Sequence, residues 1–224
     1  MGSWPPLYSP LLEAAVRLAA QGHHRQLRKR SRGVRDCTGD VVPLPPDCVP
    51  YLTHLTATAC ILARLGERDE VVAAGLLHDY LEDVPDPVGH ERIRRAVGDE
   101  VLELVVALTE TGREHPDAAH SWPARKQGQL DRIATMPRDA VVVKAADLLH
   151  NLASLRADLE TASSVTAVWG RFNAGPGRQM WYYRGLLDAI RRRLEPHPAV
   201  SELERVVAGI EPFLPPSDGE ITRS

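Results

Sequence analysis

The sequence predicts an all-α protein, a bundle of short helices. Apolar residues recur at helical spacing, as in Leu11, Leu12, Ala15, Val16 and Ala19 and again in Val101, Leu104, Val105 and Leu108, whereas alternating strand-like runs are scarce. The sequence carries no internal repeat, heptad array or low-complexity block, so a bundle is the economical architecture. Its 224 residues, 43% of them hydrophobic, are enough for one sizeable core. One domain over residues 1–213, with a flexible tail over 214–224, is the expectation.

The first helix is expected from near Pro10 to about Lys29. It leads into Arg30-Ser31-Arg32-Gly33 and a long connection holding Pro43, Pro45, Pro46 and Pro50, too rich in proline for a helix and too long for an ordinary loop. That connection reads as a functional flap or a small hairpin lid. A helix should start near Tyr51, and another should run from Asp69 through Leu81 until Pro85-Asp86-Pro87 stops it. Further helices are predicted over 89–97, 99–109 and 123–135, and over 137–155, where Pro137 suits a first turn. Residues 111–121 read as an exposed loop. After Arg156 come a helix to about Phe172, a turn at Asn173-Ala174-Gly175-Pro176-Gly177, a helix to Leu194 and a last amphipathic helix from Pro198 to Ile210.

Composition narrows the function. A net charge of -3 lacks the dominant basic field that non-specific binding to nucleic acid or a membrane surface requires. Cys37, Cys48 and Cys60 are odd in number and follow neither zinc-ribbon nor disulfide-framework spacing, which suits a reducing compartment. No apolar stretch approaches the ~20 residues needed to cross a bilayer, and Met1-Gly2-Ser3-Trp4-Pro5-Pro6 lacks the layout of a secretory signal. A cytoplasmic protein is expected.

The chemistry concentrates in Gly75-Leu76-Leu77-His78-Asp79-Tyr80-Leu81-Glu82-Asp83. This run sets an imidazole and three carboxylates on about two turns of an otherwise apolar helix, and burying that much unpaired charge is costly unless a cation joins it. On a helix, His78 and Glu82 are four apart, as are Asp79 and Asp83, so the four side chains are expected to form two adjacent ridges on one broad face. Two more candidate ligands lie elsewhere: His54 in Tyr51-Leu52-Thr53-His54, and Asp147 in Val143-Lys144-Ala145-Ala146-Asp147-Leu148-Leu149-His150-Asn151. A His and carboxylate set without thiolates favours Mn(II), Fe(II) or Zn, and spacing alone does not choose among them. The plainer alternatives are a chance His-Asp dipeptide and, for Asp147, a salt bridge to Lys144 three residues away.

Taken together, these segments resemble the HD superfamily of metal-dependent phosphohydrolases, and within it the hydrolase domain of RelA/SpoT homologues, including the small stand-alone alarmone hydrolases. The resemblance spans roughly Ala14 to Leu155. It rests on four motifs in order: His23-His24-Arg25-Gln26-Leu27-Arg28-Lys29, Tyr51-Leu52-Thr53-His54, the HD-x-x-ED core from Leu76 to Asp83, and the K-x-A-D-x-x-H-N segment from Val143 to Asn151.

The resemblance implies an HD-domain helical bundle in which His54, His78, Asp79 and Asp147 match the metal ligands, for Mn(II) in this family, with Fe, Zn or Mg as alternatives. Glu82 with Asp83 match the pair that positions or activates the attacking water. Arg28 and Lys29 fall where the family contacts the nucleotide, and Lys144 and Asn151 share a helix with the last ligand, able to meet phosphate or ribose. For Arg28 and Lys29 a solvated helix end favoured by the macrodipole is an equal alternative. The implied reaction is removal of the 3′-pyrophosphate from guanosine tetra- or pentaphosphate. The residues after the last motif are too few for a synthetase domain, so hydrolysis alone is expected. The competing readings are the same machinery acting on another phosphorylated nucleotide, such as a nicotinamide dinucleotide phosphate or a nucleoside monophosphate, and a binding module without turnover. In each case the partner is a small nucleotide.

Two positions and one connection depart from the family pattern: Leu55 stands where proline follows the first metal histidine, Leu148 stands where arginine is usual, and the connection from Arg28 to Tyr51 is longer. All presumed metal ligands are spared. Near the C-terminal end, Trp169-Gly170-Arg171-Phe172 and Trp181-Tyr182-Tyr183-Arg184 read either as core packing or as a platform for a purine, with Arg178 or Arg184 on phosphate. His150 reads as an outer partner of the metal site or as packing around Asp147. His23, His24, His90, His115, His120 and His197 have no evident partner in sequence.

Overall fold

The computed structural model describes residues 7–28, 49–110 and 118–215. In chain order these form α1 (Pro10–Gly22), β1 (Leu27–Arg28), β2 (Val49–Pro50), α2 (Leu52–Arg64), α3 (Asp69–Leu77), α4 (Tyr80–Asp83), α5 (Gly89–Val97), α6 (Asp99–Leu108), α7 (Ala118–Ile133), α8 (Arg138–Thr161), α9 (Val165–Trp169), α10 (Pro176–Leu194) and α11 (Pro198–Ile210), then a 3₁₀ turn at Glu211–Phe213. The fold is the all-α bundle of short helices that the periodicity predicts. Among the described residues the strands are two short segments, paired antiparallel with Leu27 opposite Pro50 and Arg28 opposite Val49. No described helix is long and apolar enough to cross a membrane.

The chain divides into two compact units. Of the described residues, the first holds those up to 110 together with Pro137–Asp147, and the second holds 118–136 and 148–215. Helix α8 contributes its opening turns to the first unit and the remainder to the second.

In the first unit α3 is the central helix, because its sequence leaves no polar face. Every residue from Val71 to Leu77 is buried, and the helix packs against α1, α2 and α6. Each fully buried Val or Leu there contributes roughly 1.5–3 kcal/mol relative to exposure. Close approach to α2 depends on Gly75, where a Cβ would fall well inside van der Waals contact distance of Leu62 Cδ1 and lie 3.6 Å from Thr58 Cγ2. Ser9 starts α1 by accepting from the Leu12 N–H, with Pro10 at the first helical position.

Helix α1 stops at Gly22, well before the expected Lys29. Gly22 lies so near Tyr80 that a Cβ would sit 2.5 Å from its ring, and the chain then turns through His23 into β1. The Gln26 carbonyl accepts the Tyr51 N–H at 2.8 Å, which ties the end of this turn to the start of α2. Residues 29–48, most of the proline-rich connection, lie outside the described residues, and its two ends are joined by the β1–β2 pairing.

The helix expected from Asp69 through Leu81 is two helices. His78 Nδ1 lies 2.9 Å from the Gly75 carbonyl, which can only accept, so the imidazole donates to an oxygen that a continuing helix would offer to the Asp79 N–H. Asp79 accordingly leaves the helical region, at φ −97° and ψ 1°, before α4 begins. Hydrophobic periodicity does not register such a break, because Leu77, Tyr80 and Leu81 keep the apolar spacing across it.

In the second unit α10 buries Met180, Leu186, Leu187, Ile190 and Leu194, and α11 buries Val200, Leu203, Val206, Val207 and Ile210. Gly185 lets α10 approach α7, since a Cβ there would meet Leu130 at 2.7 Å. Arg193 satisfies carbonyls at and just beyond the end of α7, donating to those of Ile133 at 2.8 Å and Met136 at 2.9 Å. Three boundaries differ from expectation. Helix α7 begins at Ala118, so part of the stretch read as a loop is helical. Helix α8 continues past Leu155 to Thr161, and the helix expected from Arg156 to Phe172 is replaced by the end of α8 and the short α9, which Ser164 caps through the Ala167 N–H. The expected tail after Pro215 lies outside the described residues.

Candidate metal centre

Three elements of the first unit meet at one point. His54 comes from the first turn of α2, His78 and Asp79 from the break between α3 and α4, and Asp147 from α8. His54 Nε2 lies 3.2 Å from Asp147 Oδ1 and 3.9 Å from Asp79 Oδ2. His78 Nε2 lies 3.2 Å from Asp79 Oδ2 and 3.7 Å from Asp147 Oδ1. The two imidazoles stand edge to face with centroids 5.2 Å apart, and His54, His78 and Asp147 are all buried.

This arrangement fits a divalent cation. Because His78 Nδ1 carries the proton given to the Gly75 carbonyl, Nε2 of the neutral ring presents a lone pair, and that buried atom makes no hydrogen bond despite its two carboxylate neighbours. Lone pairs facing carboxylate oxygens repel unless positive charge lies between them. Ligand atoms of His54, His78 and Asp79 all fall within 4.8 Å of one another. Donors at ~2.1 Å on opposite sides of an ion are about 4.2 Å apart, and each imidazole–carboxylate distance given above is shorter than that.

A proton competes for the same place. Burial lowers the pKa of His78, but Asp79 and Asp147 outweigh it and carry the group well above an ordinary imidazole. Burial likewise opposes ionisation of Asp147, yet Lys144 and then the two histidines hold its carboxyl well below the usual range. Asp79 is also held low, His78 overcoming the effect of burial. Burial first, then Asp79, pushes the Tyr51 phenol far up, so it remains a donor.

The expected catalytic pair stands beside this cluster, half-buried in α4. The Glu82 carboxylate accepts the Glu110 N–H, and Asp83 Oδ2 accepts from Gln26 Nε2 at 2.9 Å. Since the helix breaks at Asp79, the four acidic and imidazole groups of the motif do not share one continuous helical face. The break turns His78 and Asp79 toward His54 and Asp147 while α4 carries Glu82 and Asp83.

Of the expected nucleotide contacts, Arg28 lies half-buried in β1 and Lys29 falls outside the described residues. Lys144 Nζ donates to Asp147 Oδ2 at 2.9 Å. The plain salt bridge considered for Asp147 therefore exists, and it leaves Oδ1 to the histidines. Asn151 is four residues further along α8, in the second unit.

Three residues that sequence reasoning did not assign join the site. Tyr51 donates its hydroxyl to Asp79 Oδ2. His23 is buried, stacks on Tyr51 with centroids 5.3 Å apart and pairs through Nδ1 with Gln26 Oε1 at 2.6 Å. His23 and Gln26 belong to the motif of Arg28 and Lys29, and Tyr51 to that of His54. In the second unit Trp169 is buried and donates to the Phe213 carbonyl, while Tyr182, also buried, donates its hydroxyl to Gln129 Oε1, so these two aromatics serve packing. Trp181 is exposed.

The fold and this centre define a family. Residues 44–176 match the HD domain model, and the chain belongs to that family. It is 34% identical over 137 residues to the probable GTP diphosphokinase RSH3 of Arabidopsis thaliana, covering 59% of this chain and 18% of the relative. It is 36% identical over 146 residues to the GTP pyrophosphokinase of Streptomyces coelicolor, covering 65% of this chain and 15% of the relative. The chain thus spans under a fifth of the length of these relatives. Among solved structures, lmo0812 of Listeria monocytogenes EGD-e matches at 34% identity with a TM-score of 0.61, over 70% of this chain and 97% of that one. The fold is also that of a metazoan ortholog of SpoT that hydrolyzes ppGpp, at 22% identity and a TM-score of 0.64, over 92% and 97% of the two chains.

Proposed function

We propose that this chain is a divalent-metal-dependent phosphohydrolase that removes the 3′-pyrophosphate of guanosine tetra- or pentaphosphate, giving GDP or GTP. The observation that carries the reading is the convergence of His54 Nε2 and the bare His78 Nε2 on oxygens of Asp79 and Asp147, with a second carboxylate pair alongside. Relatives named for GTP diphosphokinase activity support a guanosine nucleotide and a pyrophosphate group.

On this reading His54, His78, Asp79 and Asp147 hold the ion, with Mn(II) the metal their oxygen and imidazole set suits. When bound, the ion supplies positive charge to a phosphate oxygen and acidifies water. Glu82 or Asp83 takes the proton of the attacking water. The water oxygen bonds to the phosphorus attached to the ribose 3′ oxygen, that ester bond breaks, and the 3′ alcohol regains a proton as pyrophosphate leaves. Arg28, Lys29 and Lys144 offset the charge of the pyrophosphate, and Asn151 meets phosphate or ribose. Residues 1–213 then work as one hydrolase domain with a C-terminal helical extension, in a reducing cytoplasmic compartment consistent with the cysteine pattern.

Incubating the purified protein and Mn(II) with a nucleotide panel tests the substrate. Pyrophosphate release from guanosine tetraphosphate is the expected result. Phosphate release from a nicotinamide dinucleotide phosphate or a nucleoside monophosphate instead would move the chain to another substrate, and tight nucleotide binding without turnover would make it a binding module.

A further inference from the structure

Buried His23 and half-buried Gln26 lie outside the metal ligands and outside the acidic pair, yet Gln26 touches the latter. Gln26 Nε2 donates to Asp83 Oδ2 at 2.9 Å, and Gln26 Oε1 faces His23 Nδ1 at 2.6 Å. Chemistry fixes the direction of both bonds. An ionised Asp83 only accepts, so the amide must turn its NH₂ toward it; its oxygen then faces His23, and Nδ1 must carry the proton. The other ring nitrogen, Nε2, is buried without a hydrogen-bond partner. Leaving such an atom unsatisfied carries a desolvation penalty, an arrangement that packing alone would not favour. His23 is further pinned by the stack on Tyr51 and an edge contact with Tyr80, centroids 6.2 Å apart. Gln26 is held by its own backbone, through the Tyr51 N–H.

We propose that His23 and Gln26 form a positioning relay that fixes the orientation of the Asp83 carboxylate toward the reacting water. The relay rests on the functional reading above for what Asp83 does, but not for its own existence. Gln26 is suited to the position because it donates on one side and accepts on the other. Glutamate keeps the shape and the acceptor but turns a carboxylate toward Asp83.

Two measurements test it. The first needs no substrate: long-range ¹H–¹⁵N correlation spectra that report the tautomer of the neutral His23 ring. The proton is expected on Nδ1 in the wild type and is expected to redistribute toward Nε2 in Gln26→Ala; a wild-type ring protonated on Nε2 would overturn the relay. The second is kinetic. Gln26→Glu should lower kcat about 10–100-fold, the usual scale for losing an outer hydrogen bond of a site group, with KM and Mn(II) affinity unchanged. Gln26→Asn, which keeps both amide functions on a shorter arm, should recover part of that loss. In an Asp83→Asn background Gln26→Ala should cause no further loss. Full activity in Gln26→Glu, or a loss that persists undiminished in the Asp83→Asn background, would refute the relay. A wild type inactive on guanosine tetraphosphate would refute the substrate assignment instead, and the spectra alone would then decide the relay.

Discussion

Tyr51 gives its hydroxyl to Oδ2 of Asp79, the same oxygen that lies 3.2 Å from His78 Nε2. The residue just before α2 thereby aims a candidate ligand located at the break after α3. Tyr51→Phe removes this donor while keeping the ring that stacks on His23. Outer hydrogen bonds of this kind are worth about 10–100-fold in metal affinity. Titration with Mn(II) should show a loss in that range with little change in folding; unchanged affinity would mean Asp79 is oriented without Tyr51.

Gly75 links packing to the same centre. Its missing side chain lets α3 lie against Leu62, and its carbonyl receives His78 Nδ1. Gly75→Ala gains up to ~1 kcal/mol of helix propensity. Against this, Leu62 is fully buried, so displacing its methyl overpacks the core, which costs roughly 1–3 kcal/mol. Overpacking should win, and denaturant unfolding should show a lower midpoint with an unchanged slope.

The pH response should reveal competition between proton and metal. In protein stripped of metal, the depressed pKa values of Asp79 and Asp147 contribute stability that is present above about 3.9 and lost as pH falls through their folded values. The raised pKa of His78 contributes stability that is full below about 6.5 and lost as pH rises through its folded value. The window of greatest stability from these groups therefore lies between those limits. Since the ion must displace the His78 proton, the rise in Tm given by a fixed Mn(II) concentration should grow as pH increases above neutrality. A rise independent of pH would show that His78 binds no metal.

Glu82 and Asp83 are anchored differently, one by the Glu110 N–H and the other by Gln26. Loss of a general base typically costs about 10²–10⁴ in rate. Glu82→Gln and Asp83→Asn should separate the base from its helper: the variant that loses turnover on that scale, while binding Mn(II) normally, identifies the proton acceptor. Equal and slow turnover in wild type and both variants would favour a binding module.

The sequence exposes the ligands more clearly than the means of holding them. His78-Asp79 stands out because charge is unwelcome in an apolar run, and His54 and Asp147 follow from ordered motifs. The break at Asp79 is hidden because it arises from a side-chain hydrogen bond to Gly75, which leaves no mark on hydrophobic spacing. Gln26 and Tyr51 lie in motifs already singled out, but their roles depend on Asp83 and Asp79, 57 and 28 residues away. The run of α8 beyond Leu155 was open to view, since Arg156 to Thr161 contains neither proline nor glycine, and Ser164 marks where the next helix starts.

Anomalous diffraction at the manganese edge, from crystals grown with Mn(II), tests the central claim most directly. One peak per chain is expected, within bonding distance of Nε2 of both His54 and His78 and of carboxylate oxygens of Asp79 and Asp147. A peak elsewhere, or none while Lys144 and protonated His78 alone neutralise the two aspartates, would contradict it.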